Sequence, residues 1–208
     1  MMEPWNIGAE STIYRIEQWG HTILLKHRPQ KPYLLKEIDE FLRTSRTSRE
    51  CKMLTVARTL GVPTPTVYWV DMHRHSIAME YLQGKQLKQI VGEISVDRLQ
   101  KITSEFGRLM GLLHNGDIVH GDPTTSNVIV NQEGKLWIVD FGLAEMNATV
   151  EMKGVDLHLM RRAFETTHWD FEAILWDAAL EGYKTIKTEE TDNVLARVEE
   201  IRERGRYH

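Results

Sequence analysis

The sequence predicts an α+β fold in two lobes, a β-rich N-terminal part holding one important helix and a reduced, helical C-terminal part. Three observations carry that expectation. Short β-branched and aromatic runs separated by turn residues fill the opening of the chain, helical periodicity dominates after Gly84, and one short strand hairpin interrupts the helices near residues 128–139. The division is expected near Gln83-Gly84, giving lobes over 1–82 and 83–208 of a single domain.

Ser11 to Glu17 reads as a first strand, Gly20 as a turn and His21 to His27 as a second strand. Two helical segments are expected next. Leu34, Ile38, Phe41 and Leu42 recur at helical spacing in the first, and Glu50, Met53, Leu54 and Ala57 share a face in the second. Gly61, Pro63 and Pro65 stop that helix. Val67–Val70 and Ser76–Tyr81 read as a hairpin, and residues 99–113 as a strongly amphipathic helix. Val128–Val130 and Leu136–Val139 are strands around the polar turn Asn131-Gln132-Glu133-Gly134, with helices expected near 157–164, 171–183 and 194–204.

With 208 residues and 41% apolar content, the chain can build one sizeable core or two small lobes, but not several domains. No run of about 18 apolar residues predicts a membrane-spanning helix, and no basic stretch followed by an apolar run predicts a secretory leader. Cys51 is the only cysteine. It excludes an intramolecular disulfide and a multi-cysteine zinc site, and fits a reducing, cytoplasmic location. The net charge of −4 argues against general polyanion binding. Arg15 to Arg58 nevertheless carries ten Lys/Arg against five Asp/Glu, and the closing residues 202–208 are basic. Each segment is either a phosphate- or acid-facing surface or a solvated helix face and frayed tail.

The chemistry is expected at His120-Gly121-Asp122-Pro123-Thr124-Thr125-Ser126-Asn127, followed after a hairpin by Asp140-Phe141-Gly142. Phosphoryl transfer needs a group that orients the acceptor hydroxyl and oxygen ligands for Mg²⁺ at the nucleotide phosphates. Asp122 suits the first task, and Asn127 and Asp140 the second, because Mg²⁺ prefers hard oxygens and takes few of them from protein. Lys26, near the end of an apolar strand, suits the α- and β-phosphates. Glu50 on the core-facing helix stripe is costly unless paired, which predicts a Lys26–Glu50 ion pair. Gly8-Ala9-Glu10-Ser11 lies where kinases carry a Gly-rich loop over the phosphates, here with one glycine. Met79-Glu80-Tyr81-Leu82, between the lobes, offers extended backbone to an adenine edge.

In order, Gly8-Ala9-Glu10, Ile23-Leu24-Leu25-Lys26-His27-Arg28, Ser48-Arg49-Glu50, the 120–127 segment, Asp140-Phe141-Gly142-Leu143, Lys153-Gly154-Val155-Asp156-Leu157 and Arg202-Glu203-Arg204-Gly205-Arg206 span essentially the whole chain. Together they resemble the small atypical serine/threonine kinases of the KEOPS (EKC) complex, the p53-related protein kinase family. The Thr-Thr-Ser before Asn127 and the Lys-Gly-Val-Asp-Leu segment are the most specific parts, since ordinary protein kinases carry His-Arg-Asp and a later Ala-Pro-Glu. The resemblance implies a bilobal protein-kinase-like fold without the usual activation loop, binding ATP and Mg²⁺ between its lobes. It implies nucleotide contacts from Gly8, Ala9, Glu10, Ser11, Ile13, Lys26, Met79, Glu80, Leu82 and Ile129, catalytic roles for Asp122, Lys26 and Glu50, and metal ligation by Asn127 and Asp140.

The same resemblance implies autophosphorylation on serine or threonine and ATPase activity within a complex that makes N6-threonylcarbamoyladenosine at position 37 of tRNA. The implied partners are the threonylcarbamoyl transferase subunit, a small subunit on the N-lobe, and tRNA, with which the basic tail is associated. Relatives in many archaea are fused behind the transferase, so this Met-initiated chain is expected to be stand-alone or an excised domain. Pro123 stands where many relatives have leucine, and the tail has fewer basic residues than some. Two other function classes fit parts of the pattern. One is a nucleotide-bound scaffold for the transferase. The other is a small-molecule phosphotransferase of the aminoglycoside-kinase type, which shares His-Gly-Asp and a downstream Asn.

Overall fold

The computed structural model describes residues 3–18 and 20–205. The last basic residues, Arg206 to His208, lie outside the described residues. The N-terminal strands are β1 (Asn6–Ile7), β2 (Thr12–Gln18) and β3 (His21–His27), followed by α1 (Lys36–Thr59) and by β4 (Val67–Asp71) and β5 (Ser76–Glu80). These strands form one antiparallel sheet in the order β1-β2-β3-β5-β4. The pairing Lys26↔Ile77 sets the register of β3 in the middle of that sheet. Alternation along a strand sends successive side chains to opposite faces, and Ile23 and Lys26 are the buried residues of β3.

The two helical segments read from sequence are one helix of 24 residues. The polar run Arg43-Thr44-Ser45-Arg46-Thr47-Ser48 hides the continuity, but it holds no glycine or proline to stop the helix. The reason the apolar pattern breaks is that its first half faces outward. Ile38 and Phe41 are exposed, Phe41 by 70%, whereas Glu50, Met53, Leu54 and Ala57 lie against the lobe. Part of the basic excess around this helix is paired within the lobe. Arg43 pairs with Asp39 at 2.7 Å and Glu40 at 3.0 Å, Arg46 with Glu10, and Lys31 donates to the Ala9 carbonyl at 2.5 Å. Arg15, Lys36, Lys52 and Arg58 of the same run are exposed.

The second lobe begins with β6 (Lys85–Gln86) and α2 (Leu87–Ile90), then α3 (Val96–Asn115), β7 (Ile118–Val119), β8 (Val128–Val130), β9 (Leu136–Ile138) and β10 (Glu145–Met146). Helices α4 (Val150–Thr167), α5 (Glu172–Lys184) and α6 (Thr191–Gly205) complete it. Strands β6, β8 and β9 form a small antiparallel sheet, and β7 pairs with β10. Ser95 caps α3, accepting a hydrogen bond from the Arg98 amide, and Thr149 caps α4 through Met152.

Helices α3 and α5 cross at backbone contact. A Cβ on Gly107 would fall 1.9 Å from the Ala179 carbonyl oxygen, and one on Gly182 1.7 Å from the Ser104 oxygen. Only glycine permits that approach. The buried core includes Phe106, Leu109, Met110, Leu113, Phe141 and Phe164. Among the described residues, no helix is long and apolar enough to cross a membrane.

Candidate active site

Lys26 Nζ lies 2.8 Å from Glu50 Oε1 and 2.6 Å from Asp140 Oδ1. Glu50 is 1% exposed, so its charge requires the partners it has. Its second oxygen meets Arg28 Nη2 at 2.5 Å. Arg28 is also buried, and sequence reasoning missed it. The available signal was its position two residues beyond Lys26 along the chain's extended path, which returns a side chain to the same face. Asp140 is the left-handed residue of this cluster, with φ at +64°. Partial burial pushes its carboxyl up, but the neighbouring ammonium of Lys26, with Arg28 and His120 behind it, prevails and holds it below its ordinary value.

The segment from His120 to Asn127 is fixed from beneath. Asp156 on α4, 1% exposed, accepts from the amides of His120 at 2.8 Å and Gly121 at 2.7 Å. It also meets His114 Nε2 at 3.1 Å, and His114 Nδ1 lies 2.9 Å from the Tyr183 hydroxyl. Burial, and after it the charges of Asp156 and Glu190, raise the Tyr183 pKa above the phenol range. A carboxylate only accepts, so Nε2–H donates to Asp156, and in that neutral tautomer Nδ1 accepts from the Tyr183 hydroxyl. His120 has a matching tautomer: its Nε2 lies 3.0 Å from the Val139 carbonyl, and its Nδ1 accepts from the Asp122 amide at 3.2 Å. The segment around Asp156 stands out in the sequence, but nothing there assigns this residue a task.

Gly121 explains why this loop reads His-Gly-Asp. Its φ is +83°, and a Cβ would sit 2.5 Å from the Leu143 carbonyl oxygen. One residue on, Asp122 accepts from the Asn127 side-chain nitrogen at both its carbonyl and its carboxylate, each at 2.9 Å. That arrangement engages the nitrogen of Asn127 and makes no use of Oδ1, which can still accept. Pro123 sits in a turn where Thr124 N–H bonds the Asp122 carbonyl at 2.8 Å. Its missing N–H therefore interrupts no bond made by Thr124 or Asn127.

Two adjoining cavities receive these groups. The larger, about 500 Å³, is lined by Gly8, Ser11, Ile13, Lys26, Glu50, Met79, Glu80, Leu82, Asn127, Ile129 and Asp140 among the residues singled out from sequence. Its walls also include Leu24, Pro65 and Val139, which the sequence reading did not single out because small apolar side chains carry no signal beyond core packing. The second cavity, about 300 Å³, holds Ala9, Glu10 and Asp122, together with Gly8, Lys26, Arg28 and Asp140. Glu10 is turned to Arg46 of α1. The Glu80 amide donates to the Thr66 carbonyl at 2.8 Å, and its carboxylate accepts from the Thr66 amide and hydroxyl.

A β-sheet lobe with one lysine-to-helix glutamate pair, set over a helical lobe that carries the Asp/Asn loop, is the architecture of a protein kinase fold. The comparisons agree. The protein kinase domain family matches residues 18–169. The KEOPS complex subunit Bud32 of Pyrococcus abyssi is 41% identical over 96% of this chain and 94% of its own length. A probable bifunctional tRNA threonylcarbamoyladenosine biosynthesis protein of Methanosarcina barkeri is 39% identical over 96% of this chain, which spans 35% of that relative's length. Among solved structures, WbdD bound to a kinase inhibitor superposes with a TM-score of 0.59 at 16% identity, over 94% of this chain and 49% of that one, a likeness of fold. The chain belongs to the protein kinase domain family and, within it, to the family of the KEOPS subunit Bud32.

Proposed function

We propose that this chain binds ATP with Mg²⁺ and transfers or hydrolyses the terminal phosphate, as a serine/threonine kinase or ATPase serving tRNA threonylcarbamoyladenosine synthesis in a KEOPS complex. The observation that carries the reading is the convergence of Lys26, Asp122, Asn127 and Asp140 on two adjoining cavities, from three separate stretches of chain. The larger cavity falls within the 300–1,000 Å³ range of small-molecule sites, and its apolar walls, Leu24, Met79 and Ile129 among them, suit a planar base.

Lys26, steadied by Glu50 at 2.8 Å, supplies the cation for the α- and β-phosphates. Among the described residues, no cluster of three or more His, Cys, Asp or Glu could hold a metal. Mg²⁺ needs no such cluster, since it usually takes one or two protein oxygens and keeps phosphate and water for the rest. Asn127 Oδ1 and the ionised Asp140 suit it. When bound, it neutralises charge on the phosphate oxygens. Asp122, held by Asn127 at 2.9 Å, orients a protein hydroxyl or a water for in-line attack.

The complex and its tRNA product come to this chain from the names of its relatives. The exposed apolar residues Tyr33, Leu35, Ile38 and Phe41 at the start of α1 support a partner subunit on the N-lobe. A cytoplasmic location follows from the same assignment. The deciding experiment measures ATP turnover with Mg²⁺, alone and with a threonylcarbamoyl transferase subunit, against a panel of small alcohols and amino-sugars. The reading expects turnover that responds to the transferase and ignores the panel. Bound nucleotide without turnover would leave only a scaffold, and phosphorylation of a panel compound would move the chain to the small-molecule phosphotransferases.

A further inference from the structure

We infer that Arg28 is a second phosphate-facing cation, which reads the terminal phosphate of the nucleotide and so separates ATP from ADP. The inference rests on the nucleotide reading above and adds a residue which that reading leaves without a task.

Arg28 follows β3, and its side chain is 3% exposed. A guanidinium so enclosed needs anionic partners. Among the described residues its direct anionic contact is Glu50 Oε2 at 2.5 Å, with a long contact to the Thr47 hydroxyl at 3.5 Å, while its Nε is buried without a hydrogen-bond partner. A fork with five donors is under-used in that arrangement. Arg28 lines the 300 Å³ cavity with Lys26, Asp122, Asp140 and the Gly8–Ser11 loop. The larger cavity holds the apolar base-binding walls, so this smaller one, where Asp122 stands, is where the far end of the phosphate chain belongs.

Gly142 supports the same reading. A Cβ there would come within 3.0 Å of Arg28 Nη2 and 3.4 Å of Asp140 Oδ1, so the absent side chain keeps the guanidinium beside the carboxylate. Glu50 then acts as a shared brace. One oxygen steadies Lys26 and the other Arg28, which sets two cations side by side, with Asp140 as a second carboxylate on Lys26 at 2.6 Å. Arginine suits this position because its planar fork can keep Glu50 with one edge and bond a phosphate oxygen with the other.

The test is calorimetric titration of the full chain with Mg·ATP and with Mg·ADP, for wild type, Arg28→Gln and Arg28→Lys, with thermal melts alongside. A lost hydrogen bond to a charged group predicts that Arg28→Gln weakens ATP binding roughly ten-fold or more, and ADP binding by less than about three-fold. Arg28→Lys keeps a cation for Glu50 and so protects the fold, but loses the second edge. It is expected to show the same ATP-selective loss at smaller size. Equal losses for the two nucleotides in the folded variant, or none, would overturn the inference and reduce Arg28 to a brace for Glu50. Wild-type protein that binds neither nucleotide would instead overturn the nucleotide reading itself, and the inference with it.

Discussion

Asp156→Asn is a nearly isosteric change whose cost can be worked out from the contacts. The carboxylate receives three donors: Gly121 N–H on Oδ1, and His120 N–H with His114 Nε2–H on Oδ2. An asparagine must turn its NH₂ toward one side. The cheaper orientation faces Gly121 and leaves that one amide unmet, at about 1–3 kcal/mol for a buried donor. The other two bonds survive but become neutral, and charge-assisted bonds are about twice as strong as neutral ones, so each loses about 1 kcal/mol. The sum is roughly 3–5 kcal/mol. At about 2–4 °C per kcal/mol for a chain of this size, the melting temperature should fall by roughly 10 °C. Differential scanning calorimetry measures the shift, and nucleotide titration at a temperature where the variant is folded separates stability from binding. Turnover should fall further than affinity, because Lys26 and Asp140 do not lean on Asp156. A variant melting within about 2 °C of wild type would show that Asp156 does not anchor the loop.

Three further outcomes follow from the site. Gly121→Ala places a Cβ against the Leu143 carbonyl at 2.5 Å and forces an L-residue to hold φ at +83°; turnover should drop at least about a hundred-fold, and a rate within a few-fold of wild type would contradict the loop geometry. Asp122→Asn should keep nucleotide affinity by calorimetry and lower turnover by about two orders of magnitude or more, so an active, folded variant would remove Asp122 from the chemistry. The third concerns pH. Asp140 has a folded pKa held below its ordinary 3.8. Its contribution to stability is therefore complete above that value and is lost as the pH falls through the lower, folded pKa. Urea titrations should show the stability gap between wild type and Asp140→Asn constant from pH 7 to about 4 and narrowing below it, whereas a gap that closes above pH 5 would contradict the ion pair with Lys26.

Strands β2 to β5, the hairpin at 128–138 and helices α3 to α6 were legible because each carries its own periodicity or turn chemistry, whereas the two-residue strands β1, β6, β7 and β10 are too short to show alternation. The Lys26–Glu50 contact was legible for a different reason: a carboxylate at a core-facing position needs a cation, and a strand lysine was the obvious one. What failed was continuity and partnership. Helix α1 was split because Ile38 and Phe41 carry a helical repeat that faces water rather than the core, out of phase with the inward stripe of Glu50, Met53 and Leu54. Arg28 and Asp156 were passed over because their meaning lies in contacts across 22 and 35 or more residues, and charge alone does not announce them.

The glycine contact between α3 and α5 reaches beyond packing. Gly182 is adjacent to Tyr183, and His114 lies one turn beyond Gly111, so the two ends of the Tyr183–His114 hydrogen bond ride on the helices whose backbones touch. With peptide groups in direct abutment, neither helix has room to slide or roll against the other. The 120–127 loop is therefore moored, through Asp156, His114 and Tyr183, to this seam, and a methyl group introduced at Gly107 or Gly182 would act at a distance by prying that mooring loose.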